Sequence, residues 1–180
     1  MTKEQINEFS YRITNANSGQ MIVVLYDMEL VYIEESLSLE EDKEKFVLKL
    51  RQAQKVHQEL MNTLSYEEAP VVALDVMALY LFVNKKLVES IVKRKNIELE
   101  AAIKVLKDLR VGFEAHAKLD QSQPLMQNSH QVYAGLTYGK GYLNESYDVM
   151  AQQSRGFKAQ PDKKDLYIGI KTYQRMIYIV

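Results

Sequence analysis

The sequence predicts an all-α protein: an antiparallel up-down-up-down four-helix bundle over residues 1–120, with a C-terminal extension, residues 121–180, that packs on it. Three observations carry this expectation. From residue 17 to about 118, apolar residues recur at spacings of three and four, and no stretch alternates as a strand does. The pattern divides into four runs joined by short turns, and short connections make successive helices antiparallel. Near Asp120 the character of the chain changes. Residues 1–120 carry 16 Lys+Arg against 20 Asp+Glu, whereas residues 121–180 carry 7 against 4, so the sign of the charge reverses there. Five of the seven glycines, two of the three prolines and seven of the twelve tyrosines also lie beyond this point, which marks a boundary.

Taken in order, the first helix sets Met21, Leu25, Met28 and Tyr32 on one stripe and turns Glu34 and Glu35 to solvent. Ser38-Leu39-Glu40-Glu41 has the pattern of a capping box and is expected to start the second helix. That helix repeats Phe46, Leu50, Ala53, His57, Leu60 and Leu64, the alternating spacing of a bundle seam. Pro70 suits the first turn of a third helix, where its missing amide hydrogen is no loss. Asn96 is placed to cap a fourth, whose buried face is Leu99, Ala102, Leu106, Leu109 and Phe113. The third helix has too many apolar residues for one stripe: Val71, Val72, Leu74, Val76, Met77, Leu79, Leu81, Phe82 and Val83 spread over most of its circumference. No helix of a four-helix bundle is central. The excess therefore marks either a broad core with exposed aliphatics or a face for a partner or for the chain's own extension.

Composition excludes several functions. A net charge of −1 gives no support to nucleic-acid binding, and a chain without cysteine has neither disulfides nor thiolate metal sites, as suits a reducing cytosol. The first residues lack the apolar core of a signal peptide, and the longest apolar stretch, Val71 to Val83, is too short to span a bilayer, so no membrane insertion is expected. Gly135-Leu136-Thr137-Tyr138-Gly139-Lys140-Gly141 fails as a phosphate loop: one residue is missing from the spacing, and Gly141 stands where a magnesium-holding hydroxyl belongs. Glu40-Glu41-Asp42 reads as a solvated helix start, complementing the helix dipole, rather than a cation site. His57 on its seam reads as a hydrogen-bonded core residue. There is no Glu-x-x-His pair for a di-iron bundle and no set of nucleophile, base and carboxylate. The expectation is a protein without catalytic residues, metal or cofactor.

The segment Asn15-Ala16-Asn17-Ser18-Gly19-Gln20, running into Met21-Ile22-Val23-Val24-Leu25-Tyr26-Asp27, resembles the N-terminal signature of the FliS family, export chaperones of flagellin. Asn15, Asn17 and Ser18 stand where that signature has Thr, Ser and Pro, and Met28 replaces its Gly. The resemblance continues in Gln52-Ala53-Gln54-Lys55-Val56 with Leu60 and Leu64. It resumes in Leu79-Tyr80-Leu81-Phe82-Val83 through Leu87-Val88-Glu89, and in Leu109-Arg110 with Phe113 in place of the family's tryptophan. It covers residues 9–119. It implies a cytoplasmic chaperone that binds the C-terminal segment of flagellin in apolar grooves, prevents premature polymerisation and hands its client to the flagellar export gate. The partner-binding residues it implies are Ile13, Met21, Ile22, Leu25 and Tyr26 near the signature, and Leu79, Tyr80 and Phe82 on the third helix. A disordered amphipathic client would fold as it lays its apolar face in such a groove. The altered signature and the added extension leave a second reading open, a structural or regulatory bundle that pairs with itself or another cytosolic protein.

The extension itself starts as a linker, Gln121 to Leu125. Tyr133, Leu136, Tyr138, Tyr142, Leu143 and Tyr147 then form a stretch too apolar and aromatic for a solvated tail, and Leu166 to Ile170 and Tyr173 to Val180 have the composition of strands.

Overall fold

The computed structural model describes residues 1–67 and 69–126. The expected domain boundary near Asp120 and the readings made for residues 127–180 fall at or outside the end of this range. The described residues hold five helices and no strand: α1 (Lys3–Asn15), α2 (Ser18–Ser38), α3 (Lys43–Asn62), α4 (Pro70–Lys93) and α5 (Leu99–Ala117).

Helices α2 to α5 form the expected bundle, each packing on its two neighbours in the ring α2–α3–α4–α5. Contacts between neighbours run in opposite order along the chain, which makes them antiparallel. Glu35 meets Lys49 while Glu29 meets His57, and Asp27 meets Arg110 while Glu34 meets Lys107. Gln54 bonds Asn84 and His57 reaches Tyr80 across the α3–α4 pair. The seam read for α3 is buried from Phe46 to Leu60. On α5, Leu99, Ala102 and Leu106 are buried, and Leu109 and Phe113 pack partly buried against the core.

The helix starts separate correct expectations from incorrect ones. Pro70 does open α4. Asn96 accepts from the Leu99 N–H at 3.0 Å, while Glu98, the residue before α5, takes a left-handed conformation with φ 55°. The capping box expected at Ser38 does not form. α2 runs through Ser38, whose hydroxyl donates back to the Glu35 carbonyl, and Asp42 caps α3 by accepting from the Lys45 N–H. The pattern was present, but its serine already belonged to the preceding helix.

α1 is an element the sequence reading left out. Thr2 and Gln5 make a true capping box, the Thr2 Oγ1 accepting from Gln5 N–H and the Gln5 Oε1 from Thr2 N–H. Phe9 and Ile13, four apart, are the buried face of α1, and Arg12 pairs with Asp27 of α2. With α1, α3 and α5 all packed around it, α2 becomes the central helix. This is why Met21, Val24, Leu25, Met28, Ile33 and their neighbours fill most of its circumference without exposure.

The bundle closes tightly where α2 begins. Asn17 caps α2 in a capping box with Gln20, and its side-chain amide donates to the Asp120 carbonyl at 3.1 Å. Asp120 also accepts from the Ser18 hydroxyl and the Gly19 N–H, so a carboxylate sits on the positive end of the helix. Gly19 permits this approach, because a Cβ there would lie 3.1 Å from Ala117 Cα and 3.2 Å from its Cβ. Gly19→Leu should therefore push α5 away and lower stability by about 1–3 kcal/mol. A urea midpoint equal to that of the unaltered chain would show that the contact does not constrain the bundle.

Candidate functional site

Two sets of residues on α4, lying on opposite faces, define the site. The inner set is Ala73, Val76, Tyr80, Val83, Leu87 and Ser90, all buried at alternating spacings of three and four. The outer set is Val71, Leu74, Ala78, Leu81, Lys85, Val88 and Val92, all exposed and spaced in the same alternation. The two series are two residues out of step, so they lie about 200° apart around the helix axis. A run of this spacing is the a/d seam by which one helix packs against another. α4 thus carries one seam for its own bundle and a second that faces outward. Leu81, in the middle of the outer seam, is 53% exposed, and Val72, Leu79 and Phe82 widen the apolar surface on one flank. On that flank Lys86 pairs with Glu98 and lies over the Phe82 ring; on the other, Asn84 bonds Gln54 of α3.

What fixes the rotation of so apolar a helix is a buried polar network on its inner side. The Tyr80 and Tyr26 hydroxyls are 2.5 Å apart, with both side chains fully buried. Burial pushes both phenols up and keeps them neutral. The His57 Nε2 lies 2.8 Å from the Tyr80 carbonyl, which can only accept, so this nitrogen carries a proton. The other ring nitrogen, Nδ1, is 2.9 Å from Glu29 Oε1 but off the line of a good hydrogen bond, and Glu29 Oε2 has no protein partner among the described residues. Burial pushes the Glu29 carboxyl up, against the pull of His57. For His57, burial would lower the value, but the adjacent carboxylate outweighs it and leaves the imidazole raised. Carboxyl and imidazole, both shifted upward, thus lie side by side in the core.

The partner-binding residues expected from the family signature therefore divide. Leu25, Tyr26 and Tyr80 are wholly buried, Ile13 and Met21 nearly so, and Ile22 is half-buried. In this conformation the buried five belong to the core and Ile22 packs against it. Leu79 and Phe82 are exposed on the flank of the outer seam. Val71, Leu74 and Leu81 are among the surplus apolar residues of the sequence, Val88 lies in the family motif, and Val92 continues their spacing. The spacing from 71 to 92 was the signal that would have found them.

A second concave surface, a groove of about 620 Å³ between α1, α2 and α5, is lined by Phe9, Leu30, Val31 and Val111. Its polar wall is occupied internally. Asp27 is clamped between Arg12 and Arg110, and the Arg110 guanidinium also reaches Glu114. Among the described residues no helix is long and apolar enough to cross a membrane, and no group of three or more acidic or imidazole side chains is placed to hold a metal.

A family model described as flagellar protein FliS matches residues 1–121, which is the whole bundle, α1 included. The chain belongs to the FliS family. No curated protein and no solved structure matches it. FliS proteins are flagellar export chaperones rather than enzymes, and the altered signature of this FliS chain remains a working helix start: Asn17 caps α2 in the place of the usual serine.

The buried Glu29–His57 pair gives a pH signature. Both groups are raised in the fold, whereas an unfolded histidine releases its proton near its ordinary value of about 6.5. The histidine's contribution is complete below that value and is lost as pH climbs through its raised folded value, and the raised Glu29 carboxyl adds a loss of the same sign that begins at its own lower unfolded value. Unfolding free energy should thus fall as pH rises above about 6.5. Glu29→Gln removes the carboxylate that raises His57, so the fall should flatten. An unchanged slope in that variant would place the titration elsewhere.

Proposed function

We propose that this chain is a cytosolic export chaperone whose client, the C-terminal segment of flagellin, docks as helix on the outer seam of α4. So held, the client is kept from polymerising until it is delivered to the flagellar export gate. The observation that carries this reading is the second a/d seam, an apolar row of a kind that monomeric proteins rarely leave uncovered. Membership of a flagellar chaperone family supplies the class of client. The chemistry agrees, since a disordered amphipathic segment gains helix by laying its apolar stripe along such a row, and wide contact offsets the cost of ordering it.

The test is calorimetry with the last fifty or so residues of flagellin from the same organism. A 1:1 complex should form, with a negative heat-capacity change from apolar burial and a gain of helical circular dichroism. Absence of any heat at tens of micromolar would rule the proposal out.

Two substitutions on adjacent residues separate surface from core. Leu81→Glu should keep the melting temperature within a few degrees and weaken client binding at least about tenfold, because a charge lands in the docking row. Tyr80→Glu buries an unpaired charge beside Glu29 and should cost about 3–5 kcal/mol, enough to unfold a marginal domain. If both variants bind as the unaltered chain does, the docking row is not on α4.

A further inference from the structure

An apolar row left open would associate with whatever it met whenever no client was bound. We propose that residues 133–150 of the same chain cover the outer seam of α4, so that a client must displace the chain's own segment. The inference deepens the reading above: it rests on the outer seam being a docking face, and does not depend on which client docks there.

The path is set by where the described backbone leaves the bundle. Leu125 donates its N–H to the Ala16 carbonyl at 3.0 Å and packs its side chain partly buried on the core. Ala16 precedes α2, and in an antiparallel bundle the end at which α2 begins is also the end at which α4 begins. Pro70, Val71 and Leu74 therefore lie at the end from which the chain departs. Six residues, 127 to 132, separate Met126 from Tyr133. Extended, they reach about 20 Å, just enough to cross the diagonal of about 14 Å between the axes of α2 and α4 and the further ~5 Å to the outer face of α4.

The segment also suits the row. Tyr133, Leu136, Leu143, Tyr147 and Met150 fall on the same alternation of threes and fours, with Lys140 in the one remaining place. As helix, 133–150 would run about 26 Å, against about 32 Å from Val71 to Val92. Charge does not select it. Lys85 lies in the row and Lys86 and Lys93 border it together with Asp75 and Glu89, while residues 121–180 carry a net +3. Apolar burial must hold the segment, and the tether decides the occupant. A segment joined by so short a linker is present at an effective concentration in the range of about millimolar, far above that of a second copy at micromolar protein.

The chain has no cysteine, so a single introduced thiol reports its own surroundings in the full-length protein. Leu81→Cys places one in the seam, and Val111→Cys places one on α5 at a position that is also exposed. In the full chain the thiol at 81 should react with a maleimide at least tenfold more slowly than that at 111, equally at 1 and 50 µM protein. Serine at Tyr133, Leu136, Tyr138, Tyr142, Leu143 and Tyr147 together should bring the two rates within about twofold. The readout needs no client, so it separates failure of this inference from failure of the flagellin assignment. Equal rates in the chain with its native extension would overturn the proposal, as would protection that survives the six serines. Protection that grows with protein concentration would overturn it too, and would identify a second copy as the cover.

Discussion

The arrangement depends on the orientation of α4, and orientation is the one property that its hydrophobicity cannot provide. A helix with apolar rows on both faces gains similar burial whichever face it turns inward. The choice is made by polar groups. The Tyr80 hydroxyl has a partner only beside Tyr26, and its carbonyl only in this rotation receives the His57 imidazole, which Glu29 holds from the far side. Turning α4 by half a revolution would leave the Tyr26 phenol and the His57 imidazole buried without their α4 partners, each at a cost of about 1–3 kcal/mol or more. It would also leave Lys85 facing the core. A few polar groups thereby decide which of two similar apolar rows is core and which is surface.

The same logic explains why the signature residues are buried. Tyr26 and Asp27 are adjacent on α2 and point to different neighbours. Tyr26 turns inward to Tyr80 and packs on Phe113, while Asp27 turns toward α1 and α5 and joins Arg12 to Arg110. One dipeptide thus ties the central helix to three others. Residues that identify the family hold the frame, and the surface they hold in place is made by residues of ordinary aliphatic type.

The four bundle helices were legible because their periodicity is strong and their seams are apolar: Phe46 to Leu60 and Leu99 to Leu106 are buried as the spacing indicates. α1 was not, although Thr2 and Gln5 form a capping box, because a face of only Phe9 and Ile13 gives a weak stripe. Without α1, α2 could not be recognised as central, and the apolar excess of α4 was the only anomaly in view. That excess was legible as a surplus but not as a second seam. Counting apolar residues cannot distinguish a broad face from two opposed ones, whereas reading the spacing from 71 to 92 can. The burial of Tyr26 and Tyr80 was illegible for another reason: amphipathic tyrosines suit an interface as well as a core, and only three-dimensional pairing of their hydroxyls decides between them.

Lys85 gives the outer row its last constraint. An otherwise apolar a/d seam with one lysine in it loses stability against any partner, yet it favours the register in which that lysine finds an acceptor or a route to water. On the inner row no such residue is needed, because Tyr80 and His57 already fix the alignment. On the outer row nothing else does: Val, Leu and Ala residues would let an amphipathic segment slide by a heptad with little penalty. A chaperone must release its client, so a uniformly apolar row would be both too adhesive and too permissive. In the proposed docking, one charge among aliphatics would weaken the hold and set its position, whether the occupant is a client or part of the same chain.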